Sequence, residues 1–470
     1  MSILHAYHSK LPFRNIKGKP YITVSSRGIS NGLSDTYNDG ADFGPDTLLN
    51  ATSPDQYGPP YTQTTGIQEA WNYAFATAKL SQEENEVAPG GVSNGYWMKP
   101  ILLLDGAFIV NQKVFLSPTK KIVNPKMIGS GSMSTYVYWN FNDNCIEIDH
   151  TNPNIQASNI EIGYLQPEAG SNVGAGTAFF AANYVSGDPG YQRNVFQNYS
   201  LVFANTFNGN AMLSLTGFQN IMLYDAEAYS GGVYGILYAE NSYNVKIFGS
   251  IITTGVPYLF YLNNIDSLTI YGSINAGNGG VLSNVKYVYI DKSSTYNSFM
   301  INGNVGYMHL SYVSNGFGNN YMLNTQSTSA VTINKLKIDY IHVFNNSGFT
   351  LLGSNLISIN DISIGTLNVE SGSTINLPTM SSASGTTAGT VNMRFTEYAQ
   401  SHKKLIITFS GYENDTTTNQ TISYPLPFSS YVVITGNNTG LTISASTSGI
   451  TITSPNSTTT YSGIVIVEGY

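Results

Sequence analysis

NIMLYD (Asn220–Asp225), NVKIFG (Asn244–Gly249), SLTIYG (Ser267–Gly272), YVYIDK (Tyr287–Lys292), YMHLSY (Tyr307–Tyr312) and KLKIDY (Lys335–Tyr340) repeat one pattern within the stretch Asn220–Thr366. NIEIGY (Asn159–Tyr164) continues it upstream and DISIGT (Asp361–Thr366) downstream. In all eight segments the second and fourth residues are aliphatic. They are Ile160/Ile162, Ile221/Leu223, Val245/Ile247, Leu268/Ile270, Val288/Ile290, Met308/Leu310, Leu336/Ile338 and Ile362/Ile364. Alternation at period two describes a strand with one buried and one outward face.

The spacing selects the architecture. From Asn220 the segments start 24, 23, 20, 20, 28 and 26 residues apart. One strand of constant pattern every 20–30 residues is the signature of a solenoid. No helical pattern lies between the strands. Gly277-Asn278-Gly279-Gly280, Asn302-Gly303-Asn304 and Asn315-Gly316 fill the gaps with residues that turn the chain tightly. The expected fold is therefore all-β, a parallel β-helix whose coils stack at roughly 4.8 Å. An antiparallel sandwich is the alternative, but it would not keep the same inward pair in every repeat.

Composition narrows the partners. Of 470 residues only 10% are charged, the formal net charge is −8, and Tyr occurs 34 times. Such a surface offers no basic field for phosphate, so nucleic acid is excluded as a partner. No run approaches 18 apolar residues, so no membrane insertion is expected. The one cysteine, Cys145, rules out an internal disulfide framework and reads as a buried structural thiol. His5, His8, His150, His342 and His402 show no metal-ligand spacing, and no phosphate loop, dinucleotide fingerprint or Ser-His-Asp signature is present. No metal and no cofactor is expected. Sequons at Asn50, Asn198, Asn345, Asn414, Asn419, Asn437 and Asn456, together with the Asn- and Thr-rich surface, suggest an extracellular setting. The N-terminus has no apolar signal core, which suggests release by lysis, as for a virion component. Few carboxylates also mean little change of charge in acid.

Along the chain, residues 1–37 form an expected N-terminal anchor segment; five basic residues, Lys10, Arg14, Lys17, Lys19 and Arg27, suit either a solvated terminus or docking on an acidic partner. Residues 38–100 read as an opening loop and a capping helix from about Gly66 to Leu80. Ile67, Ala70, Trp71 and Ala74 share one helical face, and Thr65 is the expected cap. Such a helix can close the open end of a β-helix. The β-helix itself is expected over 101–375, with YSLVFANTF (Tyr199–Phe207) as a further coil and Gln166–Asn198 as a projecting loop. Residues 376–395 are small and polar, a linker or stalk. Residues 396–470 read as a small antiparallel β-sandwich. Its expected strands are Leu405–Phe409, Thr421–Tyr424, Tyr431–Thr435, Leu441–Ala445, Ile450–Thr453 and Ile464–Glu468.

Four segments carry a resemblance: NDGADFG (Asn38–Gly44), GIQEAW (Gly66–Trp71), LLDGAFIV (Leu103–Val110) and IGSG (Ile128–Gly131). Together they are similar to the opening of the pectate-lyase-like right-handed β-helix family, whose members include viral tailspikes and polysaccharide-degrading enzymes. The match spans roughly residues 38–135. It departs from the family in an insertion at 48–63 and in lacking proline in the strand turn. Pro425-Leu426-Pro427-Phe428 resembles a stretch of C-terminal tail-fibre domains, which implies a trimerising or receptor-contacting tip. The resemblance implies a right-handed β-helix, to which the N-terminal capping helix and small C-terminal sandwich read above are added; it does not by itself imply activity.

Stacked coils turn repeat positions into columns. The fifth position runs Tyr224, Phe248, Tyr271, Asp291, Ser311, Asp339, Gly365; the third runs Met222, Lys246, Thr269, Tyr289, His309, Lys337, Ser363. The rings read either as a ladder stabilising the stack or as a platform for sugar rings. On the second reading Tyr224, Phe248, Tyr271 and Tyr289 bind carbohydrate. Asp291 and Asp339 lie two coils apart, roughly 9–10 Å between backbones. An inverting glycosidase separates its carboxyl pair by about 6.5–9.5 Å. Asp291 and Asp339 are therefore candidate catalytic carboxylates, with His309 between them as a relay. Asp225, Glu227 and Glu240 form a second acidic set, read as solvated loop.

The expected function is host attachment: a trimeric virion tailspike or fibre at the virion surface that binds host surface glycans and joins the virion protein through its N-terminus. The alternatives are a polysaccharide hydrolase or lyase on the same scaffold, an inverting hydrolase if an enzyme, and a structural cell-surface protein.

Overall fold

A computed structural model of the chain describes residues 20–27, 41–54, 56–80, 96–120, 122–123, 125–150, 157–158, 160–174, 176–184, 193–203, 211–229, 234–249, 251–254, 258–276, 279–294, 299–315, 319–344, 347–354, 356–369, 374–376, 390–398, 402–412, 420–423, 432–437, 442–447, 449–453 and 461–469. The expected anchor 1–37 lies outside these residues except for 20–27. The chain forms two compact units, one ending at Asp266 and one starting at Ser267.

The first unit is a parallel β-helix with three sheets. One column stacks Ile22–Val24, Ile101–Leu103, Lys126–Ile128, Glu161–Gly163, Val195–Gln197, Asn220–Tyr224 and Asn244–Phe248 in parallel register. A second stacks Gly106–Val110, Thr135–Trp139, the distal half of Glu161–Ala169, Ser200–Val202, Glu227–Tyr229 and Ile252–Thr254. The third stacks Val114–Leu116, Ile146–His150, Ala178–Tyr184, Ala211–Thr216, Leu237–Glu240 and Phe260–Asn263. The second unit repeats the arrangement. Val281–Ser294, Val305–Asn315, Val331–Val343 and Ile357–Val369 pair in parallel, residue for residue.

The inward pairs behave as the alternation requires. Those of the first seven segments, from Ile160/Ile162 to Leu336/Ile338, are no more than 1% exposed. Ile362 and Ile364 keep the register against Leu336 and Ile338. The turns between sheets use Asn in the left-handed region at Asn241, Asn264 and Asn284, a conformation that Asn tolerates through local hydrogen bonding. The Asn241 and Asn264 side chains also pair across coils at 3.1 Å.

Cys145 is fully buried, and burial pushes its thiol well up. The opening motifs lock together. The helix runs Ile67–Ala76, and Ile67, Ala70, Trp71 and Ala74 are its buried face, with Glu69. It is shorter than the expected Gly66–Leu80: Lys79–Leu80 instead forms a strand antiparallel to Tyr96–Trp97. Thr65 does not cap it. Its hydroxyl donates to the Ile109 carbonyl at 2.5 Å, while the Thr64 hydroxyl accepts from the Gln68 N–H at 3.0 Å. Two acidic residues of the motifs, Asp42 and Glu69, are buried staples. Asp42 accepts from the Thr23 N–H (2.8 Å) and hydroxyl (3.0 Å), and Glu69 accepts from the Thr62 hydroxyl (2.6 Å) and the Asn50 N–H (3.3 Å).

Two further expectations are corrected. Gln166–Asn198 is not one projecting loop. Glu161–Ala169, Ala178–Tyr184 and Arg193–Phe203 are ladder strands, since Ala178, Phe179, Phe180 and Ala182 fill the core. A whole coil thus separates NIEIGY from NIMLYD. The expected stalk 376–395 contains the start of a strand, Thr390–Tyr398, antiparallel to His402–Tyr412. All six strands read after it are present. They form an antiparallel sheet of four strands, counting Thr390–Tyr398, and one of three.

Candidate functional site

The outer face of the second unit gathers the charged and aromatic candidates. The pleat that buries Val288, Ile290, Met308, Leu310, Leu336 and Ile338 turns their neighbours outward. Register then sets Tyr287 beside Tyr307 and Lys335, and Tyr289 beside His309 and Lys337. One step further, between Ile290↔Leu310↔Ile338 and Lys292↔Tyr312↔Tyr340, stand Asp291, Ser311 and Asp339. The expected columns are real neighbours here, and the two aspartates sit two coils apart.

Asp339 is the hub of this face. Nε2 of His309 lies 2.7 Å from Oδ2, Nζ of Lys337 lies 2.8 Å from Oδ1, and the Ser311 hydroxyl reaches Oδ2 at 3.5 Å. A carboxylate can only accept, so His309 presents Nε2–H to it. Partial burial pushes the Asp339 carboxyl up, but the hydrogen bonds from Lys337 and then His309 outweigh burial and hold it below the ordinary value of 3.8. Lys337 is pushed up from 10.5, its bond to Asp339 prevailing over burial. Asp339 is thereby held ionised, the state of a base or a positioning group rather than of a proton donor. Asp291 is half-buried and makes no such pair among the described residues.

Ring geometry separates two kinds of aromatic pair. Tyr224 and Phe248 of the first unit stack at 4.9 Å and 13°. Tyr238 with Tyr261, and Tyr312 with Tyr340, do the same at 4.8 and 5.3 Å, each at 7°. Near-parallel rings at this spacing turn one face toward each other. Tyr271 and Tyr289 instead meet at 5.9 Å and 50°, and Tyr289 meets His309 at 5.2 Å and 71°. Tilted rings leave more of their faces to solvent. Tyr271 is 49% exposed and Tyr287 60%.

Sequence reasoning missed some outward pairs. Tyr238 donates its hydroxyl to Glu240 Oε1 at 2.7 Å, and Asn263 reaches the same oxygen at 3.4 Å. Tyr312 and His342 approach at 3.4 Å. The sixth repeat position, which runs Lys292, Tyr312, Tyr340, held a readable signal for the second group. The second acidic set does not converge: Asp225 follows the first sheet, Glu227 lies in the second and Glu240 in the third. Among the described residues no three His, Cys, Asp or Glu side chains come together as metal ligands, and no helix is long and apolar enough to cross a membrane.

No family model matches this chain, and no curated protein matches it. Among solved structures it is similar to "Geobacillus virus E2 - ORF18", at 10% identity and a TM-score of 0.35, covering 77% of this chain and 72% of that one. It is also similar to a tailspike protein, gp49 from Acinetobacter baumannii bacteriophage Fri1, a capsular polysaccharide depolymerase. There the identity is 12% and the TM-score 0.27, over 80% of this chain and 79% of that one. Likeness at this level decides no chemistry, which rests on the residues above.

Proposed function

We propose that this chain is a tailspike- or fibre-type adhesion protein whose second unit binds host surface glycans. The observation that carries the reading is the outward face on which the exposed rings Tyr271 and Tyr287 and the half-buried Tyr289, tilted against Tyr271, adjoin the donors His309 and Lys337. Sugar rings stack their apolar faces on aromatic faces and satisfy their hydroxyls with adjacent polar groups. Tyr271 and Tyr289 are the binding rings in this reading, and the stacked Tyr224–Phe248 pair serves first as a ladder. The test is binding of the full chain to a glycan array, wild type against Tyr289→Leu and Tyr271→Leu. Loss of binding with unchanged thermal unfolding supports the reading; wild-type binding by both variants refutes it.

The same reading includes a homotrimer, attachment to the virion through residues 1–37, a β-helix over 101–375 that follows the opening segment 38–100 in the chain, and a receptor-contacting β-sandwich at 396–470, which the strand Thr390–Tyr398 enters. A monomer in light scattering would refute the trimer. A second reading, glycan cleavage, draws on the row Asp291–Ser311–Asp339. Asp291, which makes no ion pair among the described residues, would then be the proton donor, Asp339 the base that activates water, and His309 its positioning partner. Unchanged oligosaccharide release by Asp291→Asn would remove it.

A further inference from the structure

The charge of this face runs against that of the chain. The chain carries −8, yet between Val281 and Val369 four lysines (Lys286, Lys292, Lys335, Lys337) outnumber three aspartates (Asp291, Asp339, Asp361). Lys335 stands in register with Asp361, and Lys292 directly follows Asp291. Lys337 is the cation set among rings, in register with His309 and through it with Tyr289, and one row from Tyr307.

Asp339 fixes this cation in place. With one oxygen on His309 and the other on Lys337, it positions two donors. Lys337 keeps two further N–H bonds, and its side chain is 40% exposed. The row Tyr287–Tyr307 lies two residues before it, about 6–7 Å along the strands, which is within the reach of one sugar ring with a carboxylate substituent. Asp291, across Ser311 from Asp339, repels an anion at its end of the row and steers it toward Lys337.

We propose that this face takes a glycan bearing a carboxylate, the sugar ring lying on the Tyr287–Tyr307–Tyr289 surface and the carboxylate accepting from Lys337. The inference rests on the glycan-binding reading above. The experiment uses an array of matched pairs: glycans containing uronic or ulosonic acids, and the same glycans with the carboxyl reduced to an alcohol. The intact chain binds the carboxylated members, and reduction weakens binding roughly ten-fold, the scale of a charge-assisted hydrogen bond. Lys337→Met lowers affinity for the carboxylated member about three- to five-fold and for the reduced member by a smaller factor; Lys337→Arg restores it. Equal binding of both members, or an equal effect of Lys337→Met on both, overturns the proposal and leaves glycan binding standing. Binding to no glycan overturns both. Thermal unfolding of each variant confirms that the fold is kept.

Discussion

Replacing Tyr224 and Phe248 by Leu, singly and together, tests whether stacked rings act as a ladder. Their centroids lie 4.9 Å apart at 13°, and both rings are half-buried on neighbouring coils of the first unit. An aromatic pair contributes about 0.5–1.5 kcal/mol beyond the area it buries; partial exposure puts this pair at the lower end, about 0.5–1 kcal/mol. Leucine keeps an apolar side chain and removes the ring. In a double-mutant cycle by urea unfolding, the pair should therefore cost less than the sum of its single members by that amount. In heat the coupling is worth about 1–4 °C, since a unit of this size shifts by roughly 2–4 °C per kcal/mol. Glycan binding should not change in any of the three variants. Coupling below about 0.3 kcal/mol, inside the usual additivity error, would refute the ladder. So would a loss of glycan binding larger than that of Tyr289→Leu.

Three further outcomes follow from the packing and the charges. Gly66 has φ +84°, and an added Cβ would lie 2.7 Å from the Gly44 nitrogen; Gly66→Ala should cost at least about 1–2 kcal/mol in thermal unfolding, because both backbones must move. Leu310 is fully buried in the stack between Ile290 and Ile338. Leu310→Ala should cost about 2–5 kcal/mol and Ser311→Ala, one residue on but outward, about 0.5 kcal/mol or less; equal costs would break the alternation. The Asp339 carboxyl is depressed in the folded chain, so its contribution is complete above the unfolded value near 3.8 and disappears as pH falls through the lower folded value. Because Asp339 is 40% exposed and the chain is carboxylate-poor, melting temperatures at pH 3 and pH 7 should differ little. Asp339→Asn should remove the small increment between pH 3 and pH 5.

The repeat stretch was legible because period two is a local property. Ile221/Leu223 and Met308/Leu310 are buried for the same reason that Met222 and His309 are not, and equal repeat position became equal register. The coil across 166–203 was legible only in part. YSLVF, read as a further coil, lies in the strand Arg193–Phe203, whereas AFFAANY and RNVFQN were taken into a loop, because they depart from the repeat pattern and only the neighbouring coils reveal that they fill a gap in the ladder. The helix face was correct, but its end was not, since Lys79 and Leu80 are drawn into a strand by Tyr96 and Trp97.

By itself the chain determined that strands of one pattern stack in parallel and that Tyr289, His309, Lys337, Asp291 and Asp339 face outward, because side-chain alternation depends only on adjacent residues. Tertiary structure alone decided that Asp339 holds His309 and Lys337 at once, and that Tyr271 and Tyr289 tilt while Tyr224 and Phe248 stack. Those outcomes depend on side-chain torsions and on neighbours about 20 to 30 residues away, which a coil brings within reach only after it closes.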